Sequence, residues 1–442
     1  MRLGRRLASQ SALIFLARIG GAGLVFLAQA AIARAWGAAV LGEYLILISA
    51  ANLIAVVMPL GFQTIAPYFA AEYRARSEGR NLRAFLIRAY GHVAAGAVVL
   101  LLIGAVIGQV GGTVATTLAA HWPVACLLAL ATAVVFVNGA VLVGLKRPLA
   151  AFFADALFRP LLLIGGFALA AGVAIPDEGL DRLLWVLAGG FAGIAALHFA
   201  YVMRVAQQVP VLTPGNPGES RRWWRFALPW VVIGLATDFF FDLDLLLLAG
   251  HMNREELAIF GVCTRVFSLV SFGVAAVYAV TLPDVFEAEA QADRAAFHRR
   301  IGDANLVASA LALVLIVGVA ITAPLVLWLF GEAFVVGALP LAVLCLALLV
   351  RAVMGPASLV LSIHDRPYAS LPAVGLGLVA LLAGNWLLVP GLGLLGAALA
   401  ALLAIALWSA ALWGTALRLA GVDVSVWPRL RGLVAERRTQ RT

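Results

Sequence analysis

Four arginines, Arg18, Arg159, Arg265 and Arg351, and three aspartates, Asp238, Asp242 and Asp244, fall within or against long apolar runs. A charge at mid-bilayer costs ~2.5 kcal/mol or more, so each must face a protein interior, a partner or water. The guanidinium fork donates paired hydrogen bonds and keeps its charge when buried, which suits it to phosphate. A pyrophosphate is the natural guest of such a set, with Arg18 and Arg265 as the leading pair. Asp238 and Asp242 share a helix face and Asp244 points nearly opposite. Such carboxylates either carry a coupling proton or Na⁺ or neutralise an arginine such as Arg265. Gln29, Asn52 and Asn385 are candidates for the polar lining of the same cavity or for interhelical hydrogen bonds.

Other chemistry is poorly served. Cys126, Cys263 and Cys345 are far apart in apolar surroundings and have no metal or disulfide spacing. Asp242-Leu243-Asp244 matches the D-x-D motif of sugar transferases, but that motif needs an open metal-nucleotide site rather than an apolar helix. No P-loop is present, which argues against direct ATP drive. The sequence therefore points to no catalytic residue, metal or cofactor.

The elements that would position these groups are membrane helices. At 442 residues, 64% hydrophobic and only 12% charged, the chain departs far from soluble composition. Apolar runs of about twenty residues recur throughout, each long enough to cross a ~30 Å hydrocarbon core. They predict an all-α integral membrane protein of about twelve transmembrane helices, in two parallel six-helix lobes around a central cavity. The lobes are expected at 1–206 and 228–422, joined by a cytoplasmic linker at 207–227 and followed by a basic tail at 423–442. The linker is rich in Pro and Gly and ends in Arg221, Arg222, Trp223, Trp224 and Arg225, a pattern suited to the headgroup zone.

Two lobes are also indicated by an internal repeat: Leu41 to Tyr44, Pro67 and Arg83 match Leu257 to Phe260, Pro283 and Arg299 in ungapped register. Six spans per lobe bring the second copy into the bilayer in the same direction as the first. Arginines crowd the alternate segments that hold Arg5 and Arg6, Arg74 to Arg88, Lys146 and Arg147, and Arg221 to Arg225, whereas the opposite segments hold Arg34, Arg182 and Arg254. The positive-inside bias then places both termini in the cytoplasm. The net charge of +9 is explained by this arrangement, with anionic lipids rather than nucleic acid as the partner.

Several segments resemble the polysaccharide transporter branch of the multidrug/oligosaccharidyl-lipid/polysaccharide (MOP) exporter superfamily, the Wzx-like flippases. Ala33-Arg34-Ala35-Trp36-Gly37 with Gly42-Glu43-Tyr44 is similar to the family's first outer turn, with Trp36 in place of the usual Leu. Asp244-Leu245-Leu246-Leu247 with Glu255-Glu256 resembles its seventh-helix pattern, although Ala258 and Phe260 stand where Gly and Tyr are usual. Asn385, Pro390, Gly393, Gly396, Ala397 and Ala398 look like the approach to its final span. Arg18-Ile19-Gly20-Gly21 and Thr264-Arg265-Val266 resemble sites in lipid II flippases, which carry an additional helix pair that this chain lacks.

The resemblance implies a non-enzymatic flippase of the bacterial inner membrane, driven by proton, sodium or membrane-potential coupling. Its cargo would be an undecaprenyl-pyrophosphate-linked oligosaccharide, an O-antigen or exopolysaccharide repeat unit, and its partners other polysaccharide-assembly membrane proteins. The alternatives are a cation-coupled multidrug exporter of the same superfamily and a membrane-embedded enzyme of glycan assembly. The enzyme would need the outer clusters Asp177, Glu178, Asp181 and Arg182, or Arg254, Glu255 and Glu256, to be catalytic.

Overall fold

The computed structural model describes residues 2–173, 175–212, 218–290, 294–363 and 366–432. Residues 213–217 of the expected linker and 433–442 of the expected basic tail lie outside the described residues. Among the described residues every long element is helical, the arrangement that satisfies backbone groups internally where no water can.

In chain order the helices are α1 (Arg2–Trp36), α2 (Ala38–Val57), α3 (Phe62–Ala75), α4 (Gly79–Gly104), α5 (Thr113–Ala120), α6 (Trp122–Gly144), α7 (Pro148–Phe153) and α8 (Arg159–Ala170). They continue with α9 (Pro176–Gln207), α10 (Glu219–Thr237), α11 (Phe240–Leu248), α12 (Arg254–Ala290), α13 (Arg294–Trp328), α14 (Ala338–Met354), α15 (Ala357–Ile363) and α16 (Leu371–Ala420).

Ten helical stretches among the described residues are long and apolar enough to span a bilayer. Two geometric details reconcile them with twelve runs. The run at 228–250 is cut into α10 and α11, because Phe239 leaves helical geometry at φ −120° and ψ 22°. The last two runs are joined in α16, which breaks at Gly393 (φ 54°, ψ −130°) just after Pro390. Its two arms fold back on each other: a Cβ on Gly384 would lie 2.9 Å from that of Ala400, and one on Gly377 would lie 2.9 Å from Cβ of Trp408. Small residues permit this close packing, which replaces the hydrophobic effect as the source of helix association in lipid.

The chain forms two compact units, Met1–Ala258 and Ile259–Thr442. In the first, α2 carries apolar residues on every side, with Glu43, Ser49 and Asn52 among its few polar groups, so it must be enclosed. It packs against α1, α6, α10 and α11, with Leu41, Leu45 and Ile46 fully buried. The unit thus includes α10 and α11, which a division at the linker would separate from it. In the second unit α14 lies against α13 and α16, and Phe297, Ile301, Val360, Leu361 and Val424 form a buried cluster.

Candidate functional site

The polar groups of the first unit collect in three places. The first is built where α1, α2 and α8 meet a single π-helical turn, Ala154–Phe158. Pro160 lacks the N–H that would continue the α-helical ladder to Ala156, and a π turn takes up the interruption. Arg159 follows directly and is held by two oxygens: Nη2 donates to Asn52 Oδ1 at 3.0 Å and Nη1 to Asp155 Oδ1 at 3.3 Å. The Arg159 guanidinium also lies 5.3 Å from the Phe191 ring centroid, and that of Arg18 lies 4.4 Å from the centroid of Phe152. Both are cation–π contacts, which strengthen as water is excluded. Gln29 is buried, and its Oε1 has no hydrogen-bond partner among the described residues.

The second group lies on α11. Asp242 is buried and accepts a 2.7 Å hydrogen bond from Ser49 Oγ of α2. Asp244 is fully buried, whereas Asp238, at the break before α11, is exposed. Although the helical spacing turns Asp244 and Asp242 to different sides of α11, both are led into protein.

The third group is a charged network at the start of α2. Arg254 Nη1 pairs with Glu43 Oε2 at 2.8 Å, and Arg254 Nη2 donates to Thr117 Oγ1 at 3.2 Å. His121 bridges two carboxylates, with Nε2 3.4 Å from Glu43 Oε1 and Nδ1 3.6 Å from Asp181 Oδ1. The His121 imidazole is held above its ordinary pKa chiefly by its hydrogen bond with Glu43; burial opposes this, and the charges of Glu43 and Asp181 add to it. A Cβ on Gly42 would lie 1.9 Å from the Arg254 carbonyl oxygen, so glycine is required for this approach. Asp177, Glu178, Asp181 and Arg182 line a neighbouring open cleft of about 740 Å³.

In the second unit Arg265 is half-buried on α12 beside buried Thr264, and Arg351 of α14 is exposed. Asn385 is buried on the first arm of α16. Of the sequence-predicted residues, the structure brings Arg159 and Asn52 into direct contact. It also supplies partners that sequence reasoning did not assign as site residues: Ser49, Asp155, Glu43, Thr117 and His121. The signal for Asp155 and Glu43 was a lone carboxylate beside or inside an apolar run.

Comparison with solved structures finds the same fold in MATE-type transporters of the MOP superfamily. An inward-facing multidrug resistance MATE transporter aligns with a TM-score of 0.68 at 16% identity, covering 93% of this chain and 98% of its own. An outward-facing multidrug resistance MATE transporter aligns with a TM-score of 0.63 at 14% identity, covering 92% and 94%. A MOP superfamily transporter from Pyrococcus furiosus, described as having a binding pocket of reverse polarity that suggests a different function, aligns at 0.62 with 15% identity and covers 92% and 94%. At such identities the likeness establishes the fold. No protein-family model matches the chain, and no curated protein matches it in sequence.

Proposed function

We propose that this protein is a secondary transporter that works by alternating access, with the single carrying observation being a transporter fold matched over nearly the whole chain. Its work would come from a proton, sodium or potential gradient, and it would act as a multi-pass protein of the bacterial inner membrane with both termini cytoplasmic. The six-plus-six lobe division at 207–227 belongs to this reading, with alternating access as relative motion of the lobes.

Two cargo readings follow from different observations. The names of the structural neighbours favour cation-coupled multidrug export and support it more directly than they support a flippase. The arginines favour an anion: Arg18 sits at span depth on an aromatic ring rather than on a carboxylate, and Arg159 presents a guanidinium held by Asn52 and Asp155. On that reading the cargo is a lipid-linked oligosaccharide, with its pyrophosphate on Arg18 and Arg159 and its polyprenyl tail in lipid. The reversed pocket polarity described for the Pyrococcus furiosus protein is a precedent for one such fold serving different cargo.

One reconstitution separates the readings. Liposomes carrying the protein receive either a labelled polyprenyl-pyrophosphate oligosaccharide or a cationic dye, under imposed proton, sodium and potential gradients. Movement of the glycan between leaflets, lost in Arg18→Ala and Arg159→Ala, supports the flippase. Dye export unaffected by those changes supports the exporter. Cleavage or extension of the glycan would instead restore the enzyme reading, and inertness of folded protein toward every probe would defeat the transport proposal.

A further inference from the structure

A cavity of about 340 Å³ opens at one end of the first unit, lined by Arg74, Lys146, Arg147 and Gln208 with Leu145 and Val209. Its cations come from separate elements: Arg74 from the last turn of α3, Lys146 and Arg147 from the turn between α6 and α7. The segment after α9 closes the third side. That segment is pinned, since Gly79 N–H donates to Pro210 O at 2.8 Å and Leu212 N–H to Ser77 O at 3.1 Å.

Among the described residues no acidic side chain lines the cavity. The nearest carboxylates in sequence are committed elsewhere: Glu72 pairs with Arg222 and Arg76 at 2.8 Å, and Glu78 accepts from Asn81 at 2.9 Å. Among the described residues none of Arg74, Lys146 and Arg147 has an ion-pair partner. Three like charges gathered around a concavity repel one another unless an anion joins them, and like-charge repulsion of this kind is what a bound anion relieves.

The turn carrying two of them is held in a costly conformation. Lys146 has φ 60°, in the left-handed region that favours glycine, while its N–H bonds Val143 O at 3.1 Å and that of Arg147 bonds Leu142 O at 2.8 Å. Glycine would close the same helix end without strain, so lysine is present there at a conformational cost and contributes an amine to the cavity mouth. Strained positions of this sort concentrate at ligand clamps.

We propose that this cavity binds the phosphate group of an anionic ligand, and that the ligand is drawn from anionic phospholipid headgroups. The volume lies in the ~300–1,000 Å³ range of small-molecule pockets. The arginine forks suit phosphate oxygens, the lysine adds a point charge, and Leu145 and Val209 offer an apolar wall to the first methylenes of a lipid. On the proposed orientation, with both termini cytoplasmic, this end of the unit meets the cytoplasmic leaflet, where anionic lipids attract basic groups. The site is independent of the cargo reading.

The test uses the full chain in neutral detergent, titrated with dioctanoyl-phosphatidylglycerol, dioctanoyl-phosphatidylcholine or inorganic phosphate and followed by native mass spectrometry and thermal shift. Saturable binding of the phosphatidylglycerol is expected, with at least tenfold weaker Kd in K146G/R147Q and no change in the surface control R80Q/R83Q. Because Lys146→Gly relieves the backbone, K146G alone should unfold no earlier than wild type and still bind more weakly. Inorganic phosphate binding with the same variant dependence would identify a soluble phosphate as the source while supporting the site. Equal affinity for phosphatidylcholine, unchanged binding in K146G/R147Q, or equal loss in the control overturns the proposal.

Discussion

The Arg254 guanidinium and the Glu43 carboxylate, far apart in sequence, lie 2.8 Å apart, and the acid is the more deeply buried of the two, with side-chain exposures of 9% for Glu43 and 40% for Arg254. The loss of either partner is therefore unequal. Arg254→Gln leaves a buried carboxylate with only His121 beside it, whereas Glu43→Gln leaves an arginine that water can reach. Arg254→Gln is expected to lower the thermal midpoint in detergent more than Glu43→Gln does, by the equivalent of ~1–3 kcal/mol. Equal losses would contradict the burial argument.

The same network carries a pH dependence. His121 has a folded pKa raised above its unfolded value of about 6.5, so its stabilising contribution is complete below that value and is lost as pH rises through the folded pKa. Wild type should lose stability from neutral to mildly alkaline pH relative to His121→Gln, as measured by thermal unfolding across that range. Parallel curves for the two proteins would show that the imidazole does not titrate against Glu43 and Asp181.

A third prediction concerns the join between α3 and α10. Tyr73 is fully buried; its hydroxyl donates to Glu219 Oε2 at 2.5 Å and accepts from Trp223 Nε1 at 2.6 Å. Tyr73→Phe removes one oxygen, leaves the Trp223 indole without its acceptor and leaves Glu219 with the longer 3.5 Å contact to Arg222 Nη1, at a cost of about 1–3 kcal/mol. Trp223→Phe with Tyr73→Phe should cost less than the sum of the single changes, because the second change removes a donor already without its acceptor. Additive losses in a double-mutant cycle would refute coupling through the hydroxyl.

The membrane architecture was legible because it rests on local information. A run of about twenty apolar residues is a span whatever surrounds it, and the ten apolar helical stretches among the described residues cover eleven of the twelve predicted runs. The two exceptions turn on single residues. Phe239 breaks one run, and Gly393 reverses the direction of another without the polar loop that normally marks a reversal. The polar partners were less legible, since Ser49 meets Asp242 and Arg159 meets Asn52 across separate helices. A sequence shows that Arg159 needs a partner; only packing selects Asn52 and Asp155. Glu43 carried the same signal as the arginines, but its place near the end of a run concealed how deeply α2 is enclosed.

In the second unit, Asp423 caps the return of the chain after α16. Its Oδ1 accepts from Ser425 Oγ at 2.6 Å, Ser425 N–H at 3.0 Å and Trp413 Nε1 at 2.8 Å. Burial works to raise its pKa, yet these bonds and Arg431 hold it below the ordinary carboxylate value. The stabilisation is present above the unfolded pKa of about 3.9 and disappears as pH falls through the folded value. Asp423→Ala should therefore reduce stability at neutral pH by ~1–3 kcal/mol and by less under strongly acid conditions, as seen in acid-dependent unfolding. An undiminished difference at low pH would rule out the charged form as the cause.

Lys146 is the sole lysine of the sequence and stands exposed on its strained turn. Apart from the chain's own amino terminus, it is the one primary amine available to acylating reagents. A succinimidyl fluorophore would therefore report from a single address at the mouth of the basic cavity, with no cysteine engineering. The chain comes with an attachment point for single-molecule observation, and blocking the amino terminus leaves that point unique.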